Sequence, residues 1–276
     1  MSEQYHNLIC AEDLAALIAN DAPLRIFDCR AQLGNPQRGA ELFATGHIAG
    51  AQHADLDRHL SDPPDDRGRH PLPNRDAWLA QVRLWGTQPG QQVVVYDDVG
   101  GQMAARAWWM MRWLGHAAVA VLDGGLQHWP LPLESGSGPS PQPSDFSANT
   151  PLTRLWQVAQ VVENLQTQDH ALLDARAEVR FRGEQEPIDP VAGHIPNAAC
   201  LPSTDNLTET GLFKSPQALR QRFVHLDPDK TVCYCGSGVT ATHNVLAMKV
   251  AGLAEPALYA DSWSGWITDR TRPVGR

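Results

Sequence analysis

Short apolar runs alternate along this chain with longer stretches whose apolar positions recur at helical spacing. Leu24–Asp28, Val119–Leu122, Ala171–Asp174, Thr231–Tyr234 and Ala257–Tyr259 read as short buried strands. Ala11–Asn20, Arg75–Leu84, Met103–Leu114, Arg154–Gln166, Pro216–Phe223 and Gly238–Val250 read as helices. Alternation of this kind predicts an α/β architecture, a mostly parallel sheet flanked by helices. Ligands of such sheets bind beyond the carboxyl ends of the strands.

The pattern is written twice. Ile26-Phe27-Asp28-Cys29-Arg30 matches Leu172-Leu173-Asp174-Ala175-Arg176, and Gly46-His47-Ile48-Ala49-Gly50-Ala51 matches Gly193-His194-Ile195-Pro196-Asn197-Ala198. Further on, Val93-Val94-Val95-Tyr96-Asp97 matches Thr231-Val232-Cys233-Tyr234-Cys235, and the run from Gly124 to Trp129 matches that from Asp261 to Trp266. Four matches in one order indicate an internal repeat. A stretch rich in Pro, Gly and Ser separates the copies and reads as an exposed, semi-rigid linker. The expected organisation is a first domain at 1–130, a linker at 131–150 and a second domain at 151–276.

Composition narrows the function classes. The chain has 276 residues, 42% of them hydrophobic, enough for two packed cores. Its net charge of −9, from 31 acidic against 22 basic side chains, argues against nucleic acid or an anionic membrane as partner. No apolar run approaches the roughly 20 residues that span a bilayer. The start, Met1 to His6, lacks the basic and apolar pattern of a signal peptide, so a cytoplasmic protein is expected. Five scattered cysteines (10, 29, 200, 233 and 235) fit reduced thiols rather than a disulfide framework. No metal is expected, because the eleven histidines form no ligand cluster, and no Walker or dinucleotide glycine motif follows a strand.

The candidate chemistry lies in Cys235-Gly236-Ser237-Gly238-Val239-Thr240, between a strand and a helix. A cysteine there faces backbone N–H groups and the positive end of a helix dipole, and both favour thiolate, the nucleophilic form. Gly236 and Gly238 are expected to let the backbone curl so that successive amides point inward. Thr240 is placed to cap the following helix or to bond the loop. The bland readings are small hydrophobes for Cys10, Cys29 and Cys200, an inert residue of a buried strand for Cys233, and core packing for Trp108, Trp109 and Trp113. Arg106, on the helix after Asp97, reads as scaffold near those tryptophans.

Taken together these motifs resemble the two-domain rhodanese superfamily, the sulfurtransferases, over nearly the whole chain. The resemblance implies tandem rhodanese-like domains with a working site only in the second. Sulfur would pass from a small-molecule donor to Cys235 as a persulfide, and then to cyanide, thioredoxin or another thiol. No cofactor is implied, and a monomer is expected because the fused repeat supplies an internal pseudo-dimer. Asp97 stands where the second copy has Cys235 and cannot carry a persulfide, so the first domain would be silent. The loop looks like the branch that draws sulfur from 3-mercaptopyruvate. Thiosulfate-preferring relatives tend to carry cations where this chain has Gly236 and Ser237. Arg180 matches a substrate-binding arginine, with Gly236, Gly238, Val239 and Thr240 lining the loop. Asp57 and His70 match members of a proton relay completed by Ser237, useful when a pyruvate enolate leaves. Asp174 with Arg176 would form a structural ion pair, and His194 would fix a turn.

One departure bears on the donor. The 3-mercaptopyruvate branch carries a second arginine before its G-H-I element, whereas residues 183–193 hold none and Asp189 stands near the expected place. Arg182 would point away from Arg180 on an extended segment. Two other classes compete. A cysteine phosphatase needs an arginine six positions after its nucleophile, where this chain has Ala241. A non-catalytic, sulfur-carrying or partner-binding module would retain the fold without turnover.

Overall fold

A computed structural model describes residues 4–276, so the expectation that rested on Met1–Glu3 lies outside the described residues. The chain divides into two compact units. The first comprises the chain up to Ser61, Pro73–Leu152 and Thr210–Leu212; the second comprises Asp62–Leu72, Thr153–Glu209 and Phe213–Arg276. Asp62–Leu72 thus clusters with the second unit although its neighbours in sequence belong to the first.

The first unit runs β1 (Leu8–Ile9), α1 (Ala11–Ala19), β2 (Leu24–Asp28), α2 (Arg38–Thr45), β3 (Ala51–His53), α3 (Arg75–Leu84), β4 (Gln92–Tyr96), α4 (Ala104–Trp113) and β5 (Val119–Leu122). Its sheet has the order β1-β5-β4-β2-β3, with every pair parallel. The second runs β6 (Arg154–Trp156), α5 (Val158–Thr167), β7 (Ala171–Asp174), α6 (Glu178–Phe181), β8 (Ala199–Cys200), α7 (Pro216–Arg222), β9 (Thr231–Tyr234), α8 (Ala241–Val250), β10 (Ala257–Tyr259) and α9 (Ser262–Trp266). Its order, β6-β10-β9-β7-β8, is the first sheet's repeated, again wholly parallel.

Two elements differ from the sequence reading. Arg154–Trp156 begins no helix but pairs with β10, and the helix starts only at Val158. The helix expected from Gly238 starts at Ala241, leaving 238–240 to the loop. The Pro-rich segment lies along the first unit rather than free: Arg83 donates to Phe146 O, Arg75 to Asn149 O, and Phe146 is buried.

The central strands of both sheets are fully buried, as parallel sheets require. Helices α4 and α8 are buried on nearly every side, so their small and apolar residues pack all round. Trp108 and Trp109 sit in this core, and Arg106 donates to Leu60 O. The same polar clamp fixes the central strand ends in each copy. Arg30 bonds Asp28 and Gly46 O, and Arg176 bonds Asp174 and Gly193 O at matching distances. His47 and His194 stack on Phe43 and Phe181 and bond those residues' carbonyls at 2.8 Å, fixing the turn as expected. No helix among the described residues is long and apolar enough to cross a membrane.

Candidate active site

Cys235 is the first residue beyond β9, at the carboxyl edge of the sheet and before the amino end of α8. The start of α9 clamps it. Cys235 N–H donates to Ser262 Oγ at 3.0 Å, and the amides of Trp263 and Ser264 donate to the carbonyls of Cys235 and Gly236 at 3.0 and 2.8 Å. Gly238 has φ +74°, and a Cβ there would strike Ala260 O, so the turn admits only glycine. Gly236 has a different reason from the one expected. It does not adopt a left-handed conformation; instead a Cβ there would stand 3.1 Å from an Arg69 nitrogen and 3.6 Å from two of Arg180. The residue leaves room for two guanidinium groups. Val239 is buried, and its carbonyl accepts from Thr242 Oγ1 at 2.6 Å. Thr240 occupies the cap position of α8, but its hydroxyl makes no capping bond; that expectation is corrected.

Ser237 Oγ and His70 Nδ1 lie 2.7 Å apart, and both side chains are buried. The structure thus brings together the cysteine loop, Ser237 and His70 within one unit. Asp57 belongs to the first unit, where its N–H bonds Asp55 Oδ1; burial, and then the Asp55 charge, raise its carboxyl above the usual range.

Arg180 approaches the loop as expected, but its charge is already matched. It donates to Glu186 Oε1 at 2.7 Å and to Asp189 Oδ2 at 3.2 Å. Asp189 also accepts from Arg69, and Glu186 also accepts from Arg176. The result is an alternating chain of Asp174, Arg176, Glu186, Arg180, Asp189 and Arg69 ending at Gly236. Burial holds the Arg69 guanidinium below its ordinary pKa, an effect that the neighbouring Cys235 offsets only in part. The sequence reading missed Arg69 because it sought a second cation only between 183 and 193. The signal was the adjacent His70, which drags its neighbour into the same unit. Arg182 pairs instead with Glu178 at the surface.

The first copy shows what this kind of loop binds. The buried Asp97 carboxylate accepts N–H bonds from Val99, Gly101, Met103 and Ala104, at 2.7 to 2.9 Å. The loop is an anion receptor already filled by its own side chain. A carboxylate at this position offers no sulfur to form a persulfide.

The other four thiols are all shifted above the ordinary thiol range. Burial raises Cys29 and Cys233 strongly, pushes Cys200 up to about 11, and raises Cys10. Cys10 does more than a small hydrophobe would: it is exposed and its Sγ caps α1 by accepting from Asp13 N–H. Among the described residues no group of three or more His, Cys, Asp or Glu side chains is arranged to hold a metal ion.

Comparison with known proteins agrees with this geometry. Residues 11–131 and 157–269 each match the rhodanese-like domain. A Pseudomonas aeruginosa protein named "Probable 3-mercaptopyruvate sulfurtransferase" is 47% identical, covering 97% of each chain. The mouse thiosulfate sulfurtransferase is 35% identical over 88% of this chain and 85% of its own. The crystal structure of SseA from Escherichia coli, described as a 3-mercaptopyruvate sulfotransferase, superposes with a TM-score of 0.80 at 30% identity, over 94% of this chain and all of that one.

Proposed function

The chain belongs to the rhodanese-like family, and from that premise we propose a sulfurtransferase that takes sulfane sulfur from 3-mercaptopyruvate onto Cys235 and hands it to a thiophilic acceptor. The observation that carries the donor is the 2.7 Å contact between His70 and Ser237, two residues past the nucleophile. A thiosulfate sulfur leaves as sulfite, which needs no proton. A mercaptopyruvate sulfur leaves an enolate, which does.

In the first half-reaction the Cys235 thiolate attacks the donor sulfur. The new S–S bond forms as the donor C–S bond breaks, and the bonding pair passes to carbon as pyruvate enolate. A proton delivered through Ser237 and His70 converts the enolate to pyruvate. Loop amides and the amino end of α8 stabilise the persulfide anion. Arg180 and Arg69 offer the donor's carboxylate a two-sided cationic seat. In the second half-reaction a thiol, thioredoxin or cyanide attacks the outer sulfur, the S–S bond breaks, and Cys235 returns as thiolate. Asp57 is carried in the proposal as the sequence reading assigned it, and the proposal retains a cytoplasmic monomer that uses no cofactor. Thiosulfate is the second reading, favoured by the mouse relative and by the paired guanidinium groups, which would also suit a dianion.

The test is mass spectrometry of the Cys235 peptide after exposure to each donor, with kcat/KM for both against one acceptor. A gain of about 32 Da on Cys235, absent in Cys235→Ser, with 3-mercaptopyruvate the better donor, is expected. Turnover by Cys235→Ser at the parent rate would overturn the reading, and a strong preference for thiosulfate would replace the donor.

A further inference from the structure

The two guanidinium groups beside Gly236 do not wait empty. One carboxylate spans them: Asp189 takes Arg180 with Oδ2 and Arg69 with Oδ1. Its side chain is 2% exposed, and the backbone holds it in place, since both its N–H and that of Ile188 bond Glu186 Oε1 at 3.1 Å. A carboxylate bridging two arginines next to a nucleophilic loop has the shape and charge of the bound donor's own carboxylate. Glu186 balances Arg176 and the rest of Arg180, so the seat carries little unmatched positive charge.

We infer that Asp189 is an internal competitor for the donor carboxylate and thereby a specificity-determining residue that weakens the binding of anionic donors. The inference rests on the donor reading above. An incoming carboxylate must displace Asp189 from at least one guanidinium, or share it at the cost of like-charge repulsion. The device sets affinity low while leaving the nucleophile untouched. It also accounts for two half-buried arginines beside a loop that has no cation of its own.

The experiment uses the full chain with Asp189→Asn, which keeps the shape and one acceptor but removes the charge, and Asp189→Glu, which keeps the charge. KM for 3-mercaptopyruvate is measured along with the Kd of pyruvate by calorimetry. Asp189→Asn is expected to lower both three- to tenfold, and Asp189→Glu to stay near the parent. A residue that merely holds the arginines in place would give the opposite sign, so a raised or unchanged KM in Asp189→Asn overturns the inference. If Asp189→Asn does not fold, Asp189→Ser carries the same expectation; should neither fold, the carboxylate is serving the fold and the inference fails. Equal pyruvate affinity in parent and variant defeats this inference alone. Pyruvate binding to neither, with thiosulfate still loading Cys235, defeats the donor reading as well.

Discussion

Ser262 is a buried serine at φ +55°, a left-handed conformation that a side chain resists. The matching position in the first copy is Gly125, at φ +63°. The serine brings one thing that glycine lacks, an oxygen that accepts from Cys235 N–H and donates to Tyr259 O, both at 3.0 Å. The second copy therefore tolerates about 1–2 kcal/mol of strain to fix the nucleophile's backbone. Ser262→Ala keeps the strain and strands two buried polar groups, each worth about 1–3 kcal/mol, for a net loss of about 2–4 kcal/mol after relaxation. Ser262→Gly loses the same bonds and relieves the strain. It gives back about 0.5–1 kcal/mol through the freer unfolded chain, so it should be about 0.5–1 kcal/mol more stable than the alanine variant. Native-state hydrogen exchange at the Cys235 amide reads this locally. At about 1.4 kcal/mol per decade, Ser262→Ala should exchange roughly thirty- to several-hundredfold faster than the parent, with Ser262→Gly between them. Unchanged Cys235 protection in Ser262→Ala, or weaker protection in the glycine variant than in the alanine variant, would refute the argument.

Replacing Asp97 by Asn turns an amide NH2 toward two of the four N–H donors and should cost about 2–4 kcal/mol, read as a lower denaturation midpoint for the first unit. His70→Asn should reduce kcat with 3-mercaptopyruvate by about 10²–10⁴ while changing thiosulfate turnover less than about tenfold; equal losses would show that the relay is not tied to the leaving enolate. Burial raises the Asp261 carboxyl to about 6. The folded state thus binds its proton more tightly than the unfolded chain does, and this stabilisation is complete below about pH 4 and lost as pH rises through about 6. Asp261→Asn should therefore gain about 1–2 kcal/mol over the parent above pH 7, discounted for partial exposure, and gain nothing at pH 4; urea unfolding at both pH values checks this.

The sequence carried the parts of the fold that leave local marks. Two copies of a strand ending in Asp-x-Arg, two Gly-His-Ile elements and a cysteine loop before an apolar helix are each set by neighbours within a few residues. The edge strands β1, β3, β6 and β8 are two or three residues long, too short for any periodicity to register. Arg69 escaped because its place depends on Asp62–Leu72 clustering with the second unit, a tertiary event whose one trace in the sequence is the His70 beside it. The carboxylates at 186 and 189 were visible as residues, but their meaning was not. Asp189 read as a missing charge, whereas it is the partner of two charges supplied from elsewhere. Thr240 read as a cap from residue type alone, yet its helical ψ of −13°, where the capping Cys10 and Ser215 have extended values of 165° and 151°, puts the hydroxyl outside capping geometry.

Comparison of the two copies isolates what distinguishes the second loop from the first. Both sheets have the same order, both strand ends are clamped by an Asp–Arg pair that reaches the Gly-His-Ile turn, and both loops accept an amide bond from the element that follows the last strand. The shared scaffold cannot be the source of activity. What differs is the occupant of the receptor and the charge around it. In the first copy a carboxylate takes four amides, and the loop's demand for an anion is met internally. In the second the matching residue is Cys235, and an internal carboxylate, Asp189, lies instead on the arginines beside Gly236. Under the proposed function, this arrangement leaves the loop amides for a persulfide and makes the seat the point of competition. The proposal then ties reactivity to where the protein's own carboxylate sits, which a swap of one residue in each copy can measure separately.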